Sequence, residues 1–255
     1  MNTQVIHRVS HEIKLRRLDV LRVVDITPRM RRVTVGGPEL AGFISLGSDD
    51  HIKLLFPQTA AERDALESPT FSLKGDGPQP PMRDYTPRRY DLGIGELDID
   101  FVLHGDGPAS TWAAQAAVGQ RLYIGGPRGS MIVPDIFDSY LLIGDETAVP
   151  AIGRRLEELP AGRKVLAVIE IENAAEQQTL RSAADVDVIW VVRGQDTLLE
   201  VVQNLTLPGG TLYSFVATET KLSRQVRRVL LDTHKVNEEF LKAVGYWRAE
   251  GSEED

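Results

Sequence analysis

Four consecutive residues, Arg83-Asp84-Tyr85-Thr86, place a fixed cation, an aromatic ring and a hydroxyl within reach of one ligand. In an extended chain successive side chains alternate faces, so Arg83 and Tyr85 point one way and Asp84 and Thr86 the other. Pro81 and Pro87 bracket the stretch and favour an extended path. A guanidinium's fork of donors matches two phosphate oxygens. A tyrosine face is a stacking platform for a flat heteroaromatic ring, and a threonine hydroxyl bonds ring nitrogens and carbonyls. One strand could therefore hold both the ring and the phosphate of a flavin nucleotide. An ordinary edge strand with a surface arginine and a half-buried tyrosine fits this stretch alone equally well.

Three further stretches bear on the choice. In His104-Gly105-Asp106-Gly107-Pro108-Ala109-Ser110-Thr111-Trp112 a strand ends, a glycine-rich turn follows and an alanine-rich helix begins. The unpaired N–H groups of a first helical turn attract anions, and Ser110 would either cap that helix or bond a phosphate oxygen. With Arg83 this makes a pyrophosphate clamp, beside which His104 could touch adenine or ribose. Gly144-Asp145-Glu146-Thr147-Ala148 follows a strand and opens a helix, where a parallel sheet presents a nucleotide site. Its two acids would repel a pyrophosphate, so Thr147 and the N–H groups after it are the expected contacts. Tyr246-Trp247-Arg248 would cover a flavin face or pin the last element of the chain.

The elements that must position these residues fall into two rhythms. Short runs rich in Val, Ile and Leu, separated by Gly and Pro, predict strands at Leu18–Ile26, Arg31–Gly36, Ile52–Phe56, Leu97–His104 and Arg121–Gly125. Residues 1–17 read as a polar arm, and 57–82, with five prolines and two glycines, as a long loop. This half predicts a small antiparallel barrel. Beyond it, apolar runs at Tyr140–Ile143, Val165–Ile171, Val188–Val192 and Leu212–Ala217 alternate with helical stretches near Val149–Leu159, Leu198–Leu205 and Leu222–His234. That alternation predicts a parallel sheet covered by helices. The expected domains are an antiparallel barrel over 1–136 and an α/β domain over 137–255, the latter ending in a helix over Val236–Arg248.

Composition removes several classes of function. The 255 residues are 42% hydrophobic and carry a net charge of −8, which argues against generic nucleic-acid binding. The absence of cysteine excludes thiolate catalysis, disulfides and iron–sulfur clusters, so electron transfer would need an organic cofactor. The N-terminus has no apolar targeting core, and no run approaches the ~18 apolar residues of a membrane span. A cytoplasmic monomer is the expectation, with no membrane or nucleic-acid partner. No general acid–base pair or metal-ligand cluster stands out, so no catalytic side chain or metal ligand is assigned.

The order Arg83-Asp84-Tyr85-Thr86, Asp100-Phe101-Val102-Leu103-His104, Gly107-Pro108-Ala109-Ser110-Thr111-Trp112, Gly126-Pro127-Arg128-Gly129-Ser130, Gly144-Asp145-Glu146-Thr147-Ala148 and Gly245-Tyr246-Trp247-Arg248 resembles the siderophore-interacting proteins, flavin-dependent ferric-siderophore reductases of the ferredoxin–NADP reductase-like superfamily. The resemblance spans roughly residues 18–248. It implies a flavin-binding barrel followed by a nicotinamide-binding α/β domain, with Arg83 holding the FAD pyrophosphate, Tyr85 stacking on the isoalloxazine and Thr86 near N5. Asp84 belongs to the same cofactor-binding stretch. Asp100, Val102 and His104 would line the adenosine side, and Ala109, Ser110 and Trp112 the pyrophosphate. Thr147 and Ala148 would face the junction with the nicotinamide, and Trp247 would approach the flavin. NADH or NADPH would be the donor. Acid at Glu170-Ile171-Glu172 favours ribose hydroxyls over a 2′-phosphate, although Arg154, Arg155 and Arg193 could still meet one. Lys53, Arg128 and Arg248 are the candidate cations for an anionic ferric siderophore. The alternatives are a diaphorase that reduces ferredoxin or flavodoxin, an FAD- or siderophore-binding protein without turnover, and ferredoxin as the electron donor.

Overall fold

The computed structural model describes residues 6–249 apart from 69, 74, 76 and 106. Residues 1–5 of the expected arm, Asp106 of the glycine-rich turn and the acidic Glu253, Glu254 and Asp255 lie outside the described residues. Two compact units divide the chain, His7–Ile132 and the part from Val133 onward. The division therefore falls after Ile132, against an expected boundary after residue 136.

The first unit runs through β1 (His7–Ser10), β2 (Leu15–Thr27), β3 (Met30–Gly36), β4 (Ile52–Leu55), α1 (Ala60–Glu67), β5 (Met82–Tyr85), β6 (Arg89–Asp91), β7 (Glu96–Val102), α2 (Pro108–Ala114), β8 (Arg121–Gly125) and β9 (Gly129–Ile132). Seven strands form one antiparallel sheet in the order β5-β4-β8-β2-β3-β7-β6. Its two edge strands, β5 and β6, are joined only by Thr86-Pro87-Arg88. Such a link reaches roughly 14 Å at most, so the edges must approach each other and the sheet rolls into a half-barrel. Alternation decides the faces. Leu97, Ile99 and Phe101 of β7 point inward to Val33, Val35, Ile52, Leu54, Leu122 and Ile124, while Asp98 and Asp100 take the opposite face.

Two expectations for this unit are corrected. The polar arm is partly strand: β1 pairs antiparallel with β9, and β2 already begins at Leu15. The long loop contains α1, whose first turn is closed by a capping box in which Thr59 Oγ1 accepts from Glu62 N and the Glu62 carboxylate accepts from Thr59 N.

The second unit runs through β10 (Ser139–Gly144), α3 (Val149–Glu158), β11 (Lys164–Ile171), β12 (Asp185–Val192), α4 (Leu198–Gln203), β13 (Leu212–Glu219), α5 (Thr220–Asp232) and β14 (Leu241–Trp247). Its five strands are parallel, in the order β12-β11-β10-β13-β14. Leu141, Ile143, Val168, Val191 and Val216 meet Leu198 and Val202 of α4 and Val226 and Leu230 of α5 in one core. The helix expected over Val236–Arg248 is not formed. A 3₁₀ turn at Glu238–Phe240 leads into the edge strand β14, which buries part of Leu241 and Ala243 against that core. No helix among the described residues is long and apolar enough to cross a membrane.

Candidate functional site

In the barrel unit Tyr85 and Trp112 both pack on Phe101. Register places Tyr85 opposite Ile52 and Arg83 opposite Leu54. Paired residues share a face, so Arg83 and Tyr85 lie on the face of the buried Ile52 and Leu54. The Tyr85 ring lies 4.6 Å from Phe101, and Trp112 of α2 lies 5.6 Å from Phe101 and 5.9 Å from Phe56. The strand carrying Arg83 and the helix carrying Ser110 therefore converge on one buried ring. Burial pushes the Tyr85 phenol well above its ordinary value, against the opposing pull of Arg83, so the group stays neutral and acts as ring and hydroxyl only. Arg83 is exposed and its Nη1 donates to the Met82 carbonyl at 2.8 Å.

Helix α2 begins without a side-chain cap. Gly107 is the N-cap and Pro108 follows it, leaving the N–H groups of Ala109 and Ser110 with no capping side chain. Ser110, expected either to cap or to bind, does not cap. Its Oγ accepts from the His104 N–H at 2.9 Å, closing the turn, and keeps its own proton to donate. His104 is exposed, Thr86 is buried just beyond β5, and Ala109 is buried in the core.

The other expected contacts divide by face. Asp100 accepts two hydrogen bonds from Arg32, at 2.6 and 2.8 Å, and has Arg88 at 3.8 Å. Its carboxylate is therefore satisfied within the protein, on the face opposite Phe101, and it is not a free contact for adenosine. Val102 shares that face and is half-buried. Asp84 and Lys53 stand opposite one another on the outer face of β5 and β4, with Lys53 Nζ 2.8 Å from Asp84 Oδ1. Lys53 thus points away from Tyr85 and is already paired, although an ion pair this exposed is worth only about 0–1 kcal/mol. Arg128 is exposed in the turn between β8 and β9, and Arg248 is exposed after β14.

In the α/β unit the chain builds β11 and β12 on one side of β10 and then crosses to β13 and β14 on the other. The reversal places a crevice at the carboxyl ends of β10 and β13, where open α/β sheets bind ligands. Asp145 follows β10 and is buried. Its Oδ1 accepts from Thr147 N at 2.9 Å and Thr147 Oγ1 at 2.5 Å, and its Oδ2 accepts from Trp247 Nε1 at 2.7 Å. Burial raises the Asp145 carboxyl while these hydrogen bonds pull it down. Trp247 stands beside Glu219 at the end of β13 with 41% of its surface exposed. Asp145 thereby links Thr147 to Trp247 and points at no ligand. Ala148 is fully buried at the entry to α3, where its N–H bonds Asp145 O and its carbonyl accepts from Ile152 N.

The expected arginines are also spent. Both Glu146 oxygens accept from Arg193 at 2.7 Å, and Arg193 further donates to Glu170 at 3.1 Å and Glu172 at 3.2 Å. Arg154 is paired with Glu158, and Arg155 lies 4.9 Å over the ring of Tyr140, near the start of β10. That end of the sheet is opposite the crevice, so neither residue is placed to meet a nucleotide phosphate there. Two hubs, Phe101 and Arg193, were not singled out as anchors in the sequence. Phe101 was detectable as the aromatic member of the inward set Leu97, Ile99 and Phe101, and Arg193 by its place directly after an apolar strand.

The donor set of the barrel unit fits a flavin nucleotide. It offers a neutral aromatic platform, an exposed guanidinium and uncapped helix N–H groups around one aromatic cluster. Comparison with known proteins agrees. Residues 19–131 match the siderophore-interacting FAD-binding domain and residues 137–250 the siderophore-interacting protein family. The NADPH-dependent ferric-chelate reductase of Escherichia coli is 34% identical over 249 residues, covering 95% of this chain and 96% of that protein. The ferric vibriobactin reductase ViuB of Vibrio cholerae is 32% identical over 251 residues, covering 94% and 91%. A siderophore utilization protein from T. fusca of solved structure superposes with a TM-score of 0.86 at 35% identity, covering 98% of each chain. With both of its units matched by the family's models and its whole length by such relatives, the chain belongs to the siderophore-interacting protein family.

Proposed function

We propose that the protein is an oxidoreductase that binds FAD, takes electrons from NADH or NADPH, and reduces ferric siderophores so that iron leaves as Fe(II). The observation that carries this reading is the extent of the likeness, which runs across both units to a ferric-chelate reductase, covering 95% of this chain. In the barrel unit, Arg83 and the N–H groups of Ala109 and Ser110 hold the two phosphates. Tyr85 supports the isoalloxazine with Phe101 and Trp112 behind it, and Thr86 offers a hydroxyl beside the ring. With Asp100 taken by Arg32, Val102 and His104 are left to the adenosine side. In the α/β unit, Thr147 and Trp247 receive the nicotinamide at the crevice. When bound, the flavin supplies the conversion of a two-electron donor into single-electron transfers, which no side chain of this cysteine-free protein can perform.

The substrate is read from charge. Hard oxygen donors favour Fe(III) over Fe(II), so reduction loosens the iron with no siderophore bond hydrolysed and no general acid or base required. A tris-catecholate complex is anionic, and a protein of net charge −8 must draw it with local cations. Lys53, Arg128 and Arg248 serve that role, Lys53 exchanging Asp84 for the ligand. We place the reaction in the cytoplasm, carried out by a monomer with a nicotinamide donor.

The test is made under argon with the purified protein. NADH or NADPH should bleach the flavin absorbance, and a ferric tris-catecholate should restore it, releasing two Fe(II) per flavin to a chromogenic trap. A protein that takes up no FAD, or whose flavin neither coenzyme bleaches, refutes the proposal.

A further inference from the structure

The turn that carries Arg128 is held by the N-terminal arm at Gly126, Arg128 and Gly129. Gly126 N donates to Lys14 O at 3.1 Å, and Arg16 Nη1 donates to Gly126 O at 3.0 Å. His11 N donates to Arg128 O at 2.9 Å, and Ser10 pairs with Gly129. At Gly129 a Cβ would stand 2.5 Å from Val9 O, so only glycine lets the arm lie this close. The Arg128 backbone is therefore fixed while its side chain stays exposed.

A side-chain bridge completes the clamp. His11 Nε2 lies 2.7 Å from Ser130 Oγ, which donates to Asp50 Oδ2 at 2.5 Å and accepts from Leu46 N at 3.0 Å. Asp50 Oδ2 also accepts from Ser45 Oγ at 2.9 Å and Gly47 N at 3.1 Å. The hydroxyl has one proton, given to the Asp50 carboxylate, so His11 Nε2 must be the donor of its bond. The three residue types are those of a hydrolase, but the order is not. The serine is buried, is hydrogen-bonded directly to the carboxylate and faces an imidazole N–H, so it has no base to activate it.

The bridge instead joins the two segments that carry candidate cations. Ser130 lies two residues after Arg128, and Asp50 lies three residues before Lys53. We propose that His11 is a positioning residue for ferric-siderophore binding: through Ser130 and Asp50 it sets the Arg128 turn against the start of the Lys53 strand. The proposal rests on the assignment of Arg128 to the anionic chelate made above.

The test compares His11→Ala, His11→Gln and Arg128→Ala in the FAD-loaded enzyme. In His11→Ala, KM for an anionic ferric tris-catecholate should rise roughly three- to tenfold, the worth of one hydrogen bond. The kcat should stay within about twofold, since the flavin contacts are untouched. A neutral ferric trihydroxamate should show less than about a twofold change in KM, and His11→Gln, whose amide N–H can reach the same oxygen, should restore KM. If His11→Ala proves unstable, Ser130→Ala removes the bridge from the other side and should give the same split. The proposal falls if KM is unmoved in His11→Ala while Arg128→Ala raises it, or if neutral and anionic chelates suffer alike. It falls together with the Arg128 assignment if Arg128→Ala leaves KM unchanged. A wild-type enzyme that reduces no ferric chelate would instead overturn the function itself.

Discussion

Replacing Arg193 with alanine leaves the Glu146, Glu170 and Glu172 carboxylates facing one another at the carboxyl ends of β10, β11 and β12. A unit charge pair near 4 Å is worth about 4 kcal/mol at a surface-like dielectric, and removing one partner of a buried pair costs about 3–5 kcal/mol. Here 34% of the Arg193 side chain and 43% of the Glu172 side chain face solvent, so water takes over part of the work. The expected loss is about 2 kcal/mol, a fall of about 1 M in the urea midpoint at a slope of ~2 kcal/mol/M. Hydrogen exchange of the β11 and β12 amides would separate this from unfolding of the other unit. The pH dependence has a definite sign. Burial already raises the Glu170 carboxyl, with Arg193 pulling it down, so removing Arg193 raises it further. A carboxyl raised in the folded state contributes stability that is present at low pH and lost as pH rises through the folded value. The deficit of the variant should therefore shrink as pH falls from about 7.5 towards 5. Arg193→Lys keeps the charge but not the fork and should lose about half as much. A deficit below about 0.5 kcal/mol, or one that does not change with pH, refutes the assignment of Arg193 as the hub.

The same cluster bears on the coenzyme. With Arg193 committed to three carboxylates, a 2′-phosphate at these strand ends meets net negative charge, so kcat/KM for NADH should equal or exceed that for NADPH. A preference for NADPH above about tenfold would show that a cation elsewhere receives the phosphate. In the barrel unit, Phe101→Leu should cost about 1–2 kcal/mol of stability. It should also lower FAD occupancy, because Tyr85 and Trp112 both rest on that ring. Full flavin content in a destabilised Phe101→Leu protein would separate the aromatic hub from the cofactor.

Where structure follows local pattern, the sequence showed it. The strand expected at Leu97–His104 forms as β7, and the nearly continuous apolar runs form β10 and β11, because their period is written in consecutive side chains. Two local signals were overlooked. Thr59 and Glu62 spell a capping box before Ala60–Glu67, but the surrounding prolines made the stretch look like loop. Val236, Phe240 and Val244 recur at helical spacing, yet Gly245 inside the run marks a close approach of backbone. A Cβ there would stand 2.3 Å from Thr220 Oγ1, which itself bonds Trp247 O. The rest is non-local. An unpaired edge on β13 turns Leu241–Trp247 into a strand, and nothing near residue 241 announces that edge. The partners of Arg193 lie 21 to 47 positions away in sequence, so local spacing shows three acids and a separate cation where the fold makes one hydrogen-bonded knot.

Charge accounting separates the arginines of the scaffold from those left to the proposed site. On the barrel, Arg22 and Arg89 share Glu96, Arg89 also holds Asp98, and Arg32 and Arg88 share Asp100. In the α/β unit Arg154, Arg163 and Arg193 each have a carboxylate. These arginines stabilise the scaffold and present little field to an incoming anion. Arg83 and Arg128 differ. Both are exposed, and among the described residues neither has a carboxylate partner. A protein with 37 acidic and 29 basic residues repels anions at long range, so attraction must come from cations that the fold keeps away from its own acids. Arg83 is kept so by the apolar face it shares with Leu54 and Tyr85, and Arg128 by a turn that the arm holds at Gly126 and at the Arg128 carbonyl. What fits them to the proposed role is therefore the absence of a carboxylate partner among the described residues, a property that depends on every neighbouring strand and not on the arginine itself.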